Sequence, residues 1–158
     1  MSKNFIRNVN RSEKYEIPIV QKLTNSSDGN NVFPTIRELL CFAAMLGYSL
    51  GKKIKFPENY KKNDVGWAQF IANGSDEYIY FLAVCDTKGT DCLKSDTNID
   101  LVGIFEEYIN GGFEIILDWF SKYSSQDTLK AIISGLYDEG FINSENISKE
   151  DIMKSLTF

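Results

Sequence analysis

The amino-acid sequence predicts an all-α fold, a single-domain irregular or orthogonal bundle of about six to eight helices with room for one minor extended segment. Three observations lead there. Apolar residues recur every three or four positions through most of the chain, the spacing that gives a helix one buried stripe. Helix starters such as Asp, Ser and Thr, and breakers such as Gly and Pro, stand at the ends of those stretches,. No two stretches alternate convincingly as partner strands,.

Taken in order, residues 1–11 are polar and basic and are expected to be a flexible arm,. Ser12 to Leu23 forms a short helix interrupted or restarted at Pro18, because proline cannot donate a helical hydrogen bond,. Thr24 to Asn31 is a loop by composition,. Pro34 then sits in the first turn of the clearest helix, where proline is tolerated. That helix, over 34–50, is apolar almost all round from Leu39 to Leu46 and is read as the central buried one,. Ala43, Ala44 and Gly47 would let a neighbouring helix approach closely,.

Gly51 ends it, and a basic connector follows with an extended piece at Ile54 and Phe56. Asp64 is expected to cap a helix carrying Val65, Trp67, Phe70 and Ile71, which Asn73 and Gly74 break,. Ser75 or Asp76 caps the next, with Tyr78, Ile79, Phe81, Leu82 and Cys85 on its apolar surface. A strand over Tyr78–Val84 competes, since that run is aromatic and β-branched. Gly89 to Asn98 is turn-rich. Ile99, Val102, Phe105 and Ile109 share a helical face, as do Phe113, Ile116, Leu117 and Phe120 beyond a break or tolerated kink at Gly111 and Gly112,. Asp127 starts a helix that Gly140 ends, and Ser148 with Asp151 is a capping box for a last short helix to Leu156,.

Composition bounds the function. The chain has 158 residues, 43% hydrophobic and 25% charged, which describes an ordinary globular protein,. Aromatics reach 13%, chiefly Phe 11 and Tyr 8, for the core or for an aromatic-rich interaction surface,. No secretory signal or membrane span is read, and the three cysteines suit reduced, mostly buried thiols in a cytoplasmic protein,. Charge is divided along the chain: residues 1–62 hold 11 Lys/Arg against 5 Asp/Glu, and the remainder 6 against 17. Either this bipolarity makes a basic face and an acidic face, or the halves intermingle and partly cancel.

Catalytic chemistry is thin. There is no histidine, so the usual Ser/His/Asp and Cys/His systems cannot be assembled. There is no phosphate-cradling glycine loop and no CxxC pair,. Glu106 and Glu107 are adjacent and point in different directions around a helix. Asp86, Asp91, Asp96 and Asp100 are dispersed over a loop region without the geometry of a calcium or two-metal site,. No enzyme activity, metal or other cofactor is expected.

The basic connector is the candidate site. Lys52, Lys53, Lys55, Lys61 and Lys62 fall together with one acid, Glu58, among them, and Phe56 and Tyr60 are interleaved. Lysines neutralise phosphates without reading sequence, and aromatic rings stack on unpaired bases. Arg7 and Arg11 extend the patch if the N-terminus folds alongside. The competing reading is a solvated loop whose aromatics anchor it to the core.

The segment from Phe33 to Lys53 and the later one from Ile104 to Ile116 resemble a small family of Dnd-system-associated proteins, encoded beside bacterial DNA phosphorothioation genes. The first carries an aromatic residue, a small polar residue, a leucine-rich helix with Phe42-Ala43-Ala44 and Leu46-Gly47, then Gly51 and the basic pair Lys52 and Lys53. The resemblance covers roughly residues 12–138, and its residues are mostly structural. It implies an accessory protein of a defence locus that modifies DNA or restricts unmodified DNA, with no particular chemistry. The expected partners are therefore DNA, contacted without sequence preference, or a larger effector protein of the system. A protein-interaction module and an acidic inhibitor of a nucleic-acid enzyme are the alternatives.

Overall fold

A computed structural model gives the structure and describes residues 6–26, 29 and 31–143. The chain is mostly helical, with one small two-stranded antiparallel sheet. It divides into two compact units, residues 1–115 and 116–158, with the division falling inside a long helix.

The first unit opens on a strand, β1 (Val9–Ser12), where the sequence reads as a flexible arm. It pairs with β2 (Lys62–Val65), Val9 facing Val65 and Ser12 facing Lys62. Each strand is four residues long, too short for an alternation to stand out, and only their pairing defines them. The pairing corrects the assignment of Asp64: it lies in β2 opposite Asn10 and caps nothing. No strand forms at Ile54 and Phe56.

The helical run after Ser12 is irregular. Ser12 accepts a hydrogen bond from the Lys14 amide, a 3₁₀ turn covers Glu13–Tyr15, a π turn covers Glu16–Gln21, and α1 is the single turn Lys22–Thr24. Pro18 stands within the widened turn, where its missing N–H and its ring displace the ordinary hydrogen-bond ladder. Tyr15, Ile19, Val20 and Leu23 are buried along this run.

α2 (Ile36–Ser49) is the central buried helix, with Leu39, Leu40, Ala43 and Ala44 fully inside. Its cap is Thr35, whose hydroxyl accepts from the Glu38 amide while the Glu38 carboxylate accepts from the Thr35 amide, a complete capping box,. Pro34 therefore precedes the helix and does not occupy its first turn. α3 (Trp67–Ala72) follows β2 from Gly66 and ends before Gly74, whose φ of +68° suits glycine,. α4 (Asp76–Thr87) is a helix, not a strand, and buries Ile79, Leu82 and Ala83. Ser75 holds its N-cap position without capping it; the hydroxyl accepts from Arg37. A 3₁₀ turn at Thr90–Leu93 buries Cys92.

α5 (Leu101–Lys122) runs unbroken through Gly111 and Gly112. Within the first unit its apolar stripe is Val102, Phe105, Ile109 and Phe113, with Phe105 edge-on to Phe70 at 6.0 Å and Phe113 against Tyr15 at 5.0 Å. The glycine pair is a packing notch. A methyl at Gly112 would overlap the Ala43 carbonyl of α2, and one at Gly111 the Lys52 carbonyl. Gly47 of α2 completes the notch, since a methyl there would meet the Tyr108 carbonyl.

The second unit contains the end of α5 and α6 (Thr128–Asp138). Asp127 caps α6 by accepting from the Lys130 amide at 2.8 Å, and Gly140 follows it with a φ of +78°,. Gly135 lies against the Trp119 ring. Lys122 pairs with Asp138 at 2.6 Å. The last short helix expected from Ser148 lies outside the described residues.

Candidate nucleic-acid interface

The connector between α2 and β2 is held at both ends and in its middle. Gly51, with a φ of +65°, turns the chain out of α2, and the Lys52 amide donates back to Gly47 at 2.8 Å. The Ile54 amide donates to the Glu107 carbonyl at 2.9 Å, and Asn110 Nδ2 donates to the Ile54 carbonyl at 3.1 Å. Asn110 is buried, and its Oδ1 is without a partner among the described residues. At the far end the Glu13 amide donates to the Lys61 carbonyl at 2.9 Å. Phe56 and Tyr60 stack face to face at 3.9 Å and 3°. Each ring thus spends a face on the other, which removes the freely offered pair of stacking platforms that the sequence allowed.

The cations of the expected patch separate into two groups. Arg7, Arg11 and Lys53 turn toward carboxylates of their own chain. Arg7 forks onto Glu106, Nη1 to Oε1 at 2.6 Å and Nη2 to Oε2 at 2.9 Å, and reaches Asp100 at 3.1 Å. The Asn10 amide adds a third bond to Glu106 at 2.6 Å. These bonds hold the Arg7 guanidinium firmly protonated, the Glu106 hydrogen bond contributing most,. Arg11 is buried, donating to Glu16 at 3.0 Å and to the Asp64 carbonyl at 3.3 Å.

Lys53 grips both oxygens of Asp86 at 3.0 and 2.9 Å and lies 3.6 Å from Glu107. Tyr108 donates to the same Asp86 at 2.6 Å. Burial pushes the Asp86 carboxyl up, but the Tyr108 hydroxyl and the Lys53 ammonium outweigh it and hold the group below its ordinary value,. Lys52 places its charge near Glu114 and helps keep that carboxylate ionised.

Lys55, Lys61 and Lys62 are exposed, and no carboxylate pairs with them among the described residues. Tyr60, which lies between Lys55 and Lys61 in the sequence, is half-buried, its hydroxyl pushed above its ordinary value by burial and by the nearby Glu106, with Arg7 opposing. The charge asymmetry of the sequence therefore resolves by intermingling in the first unit. N-terminal cations meet later acids in Arg7 with Glu106, Lys14 with Glu114 at 2.7 Å, and Lys53 with Asp86.

Most of the other chemistry-bearing groups also find structural partners. Glu106 and Glu107, adjacent in sequence, serve Arg7 and Lys53 separately. Three of the four dispersed acids have partners: Asp86, in α4, holds Lys53, Asp91 holds Lys94 at 2.6 Å, and Asp100 accepts from Arg7 and the Gly103 amide. Among the described residues no group of three His, Cys, Asp or Glu is placed to hold a metal ion. All three cysteines are free. Burial pushes the Cys41 thiol up to about 11, which keeps it protonated at neutral pH,. No helix among the described residues is long and apolar enough to cross a membrane.

One surface feature went unread in the sequence, an open groove between α2 and α4 lined by Arg37, Phe42, Met45, Ser75, Tyr78 and Phe81. Its signal was available only as two aromatic residues, Tyr78 and Phe81, assigned to the apolar surface of α4, which the fold leaves 46% and 54% exposed.

A family model described as DNA sulphur modification system-associated protein 4 matches residues 9–155. None of the curated proteins and none of the solved structures matches the chain.

Proposed function

The chain belongs to the family of DNA sulphur modification system-associated protein 4, and from that premise we propose that it is a non-catalytic accessory protein of a bacterial defence system that modifies DNA, touching the DNA backbone through Lys55, Lys61 and Lys62. The observation that carries the reading is the division of the connector's cations. All four are exposed, but Lys53 is paired with Asp86 and Glu107, while Lys55, Lys61 and Lys62 have no carboxylate partner among the described residues. The connector's anchors at Ile54, Phe56 with Tyr60, and Lys61 limit the ordering that binding requires,.

Contact of this kind is sequence-neutral, because lysine neutralises phosphate and carries no base code. The non-catalytic part is supported by the missing histidine and by the structural employment of Glu106, Asp86 and Asp100.

The test is fluorescence anisotropy of a labelled DNA duplex titrated with the intact chain across a salt series. Three phosphate contacts give a log-log salt slope of about −2.7. The slope collapses when Lys55, Lys61 and Lys62 all become glutamine. Absence of binding at about 50 mM salt, or an unchanged slope in the triple variant, overturns the reading.

A further inference from the structure

The groove between α2 and α4 has a volume of about 1120 Å³ and opens to solvent. Phe42 and Met45 lie one turn apart on α2, and Tyr78 and Phe81 one turn apart on α4, so each pair shares a helix face. Tyr78 and Phe81 remain 46% and 54% exposed. Two large aromatics thus stand half-exposed beside one groove.

A cation lies among them. The Arg37 side chain is 12% exposed, and it donates one N–H to the Ser75 hydroxyl. Among the described residues the carboxylate oxygen paired with it, Glu38 Oε1, is 3.9 Å away, at the limit of an ion pair. The other oxygen of Glu38 is committed to the Thr35 amide and hydroxyl at 3.1 and 3.0 Å. A guanidinium has five N–H donors in a planar fork. Mostly removed from water and served, among the described residues, by one hydroxyl and one distant carboxylate, it is short of counter-charge there,.

We propose that this groove seats an apolar peptide segment of a partner protein and that Arg37 receives a single carboxylate from that segment. The carboxylate supplies the fork-to-fork bond that no described residue makes,. Phe42, Met45 and Phe81 offer the apolar partner surface, and the unbranched Met45 adapts to the side chain it meets. The rim decides between a peptide and a nucleic acid. Glu38 and Glu77 line the same groove, so they repel a polyanion while tolerating one acid set among neutral or basic residues. The site is separate from the lysine connector, and the inference does not depend on DNA contact.

The experiment selects a random peptide display library on the intact chain. Recovered peptides are expected to pair a large apolar residue with one Asp or Glu. Replacing that acid by its amide weakens binding roughly tenfold or more in anisotropy, the scale of a charge-assisted bond. The difference between acid and amide disappears in Arg37→Gln. Because that variant also loses the Ser75 bond, Phe81→Ser is the second arm. Phe81 is exposed, so the fold, checked by circular dichroism, survives while peptide binding is lost. Three results overturn the proposal: no recovered peptide depends on Phe81, acid and amide peptides bind alike, or a DNA duplex displaces the peptides from the groove.

Discussion

Arg7 and Glu106, 99 positions apart in the chain, meet in a forked ion pair of 2.6 and 2.9 Å, with the Glu106 side chain only 3% exposed. The carboxylate also accepts the Asn10 amide. A residue expected to extend a DNA-binding patch is thus a clip that fastens the N-terminal strand to α5. Removing either partner leaves the other under-compensated, which costs more than the pair contributes. Glu106→Gln and Arg7→Met are each expected to lower stability by about 1–3 kcal/mol in urea unfolding. Their combination should cost less than the sum of the two, and strict additivity would refute the clip.

Gly112→Ala sets helix propensity against packing. Alanine is favoured over glycine in a helix interior by about 1 kcal/mol. The added methyl would overlap the Ala43 carbonyl, and backbone cannot move aside as a flexible side chain can. Sterics should win, so the variant is expected to lose more than about 2 kcal/mol and to show a lowered thermal midpoint. A midpoint that rises would mean that α2 and α5 do not approach at this notch.

Acid should weaken the fold through two carboxylates. Burial pushes Glu114 up, but hydrogen bonds from Lys14 and Tyr15 outweigh it and leave the group below its ordinary value. Asp86 is lowered in the same manner by Tyr108 and Lys53. Both folded-state values lie below the unfolded ones. Their stabilisation is therefore complete above the ordinary carboxylate range and drains away as pH falls through the lowered values, below about pH 4. Unfolding free energy measured from neutral pH downward should fall less steeply in Glu114→Gln and Asp86→Asn than in the native chain. Identical pH profiles would count against both networks.

The lysines of the connector should behave unequally. Each of Lys55→Gln, Lys61→Gln and Lys62→Gln is expected to reduce the magnitude of the salt slope for DNA by about 0.9. Lys53→Gln should leave that slope unchanged while lowering stability, since its ammonium is engaged by Asp86 and Glu107. Equal slope changes at all four positions would show that the Lys53 ion pairs open on binding.

Much of the helical framework was legible in the sequence. The α2 pattern, the cap at Asp127 and the breaks at Gly74 and Gly140 rest on periods and backbone preferences that act within a few residues,. The two short strands were not legible, because four residues carry little pattern and β1 and β2 are specified by each other across some fifty positions. Asp64 shows the consequence: a good capping residue by type, it pairs with Asn10 because Val9 and Val65 are buried alongside.

The candidate site was legible only as a list of cations. The basic character of the connector, the lack of histidine-dependent chemistry and the small residues Ala43, Ala44 and Gly47 that permit close helix contact can all be read from the residues alone. Gly111 and Gly112 read as a break or kink, and only the fold makes them part of a packing notch. Which of the cations meet carboxylates follows from the tertiary structure: Arg7, Arg11 and Lys53 are paired, and Lys55, Lys61 and Lys62 have no carboxylate partner among the described residues. The reason is physical: periodicity and capping are short-range, whereas Coulomb pairing depends on a few ångströms of separation that only folding establishes.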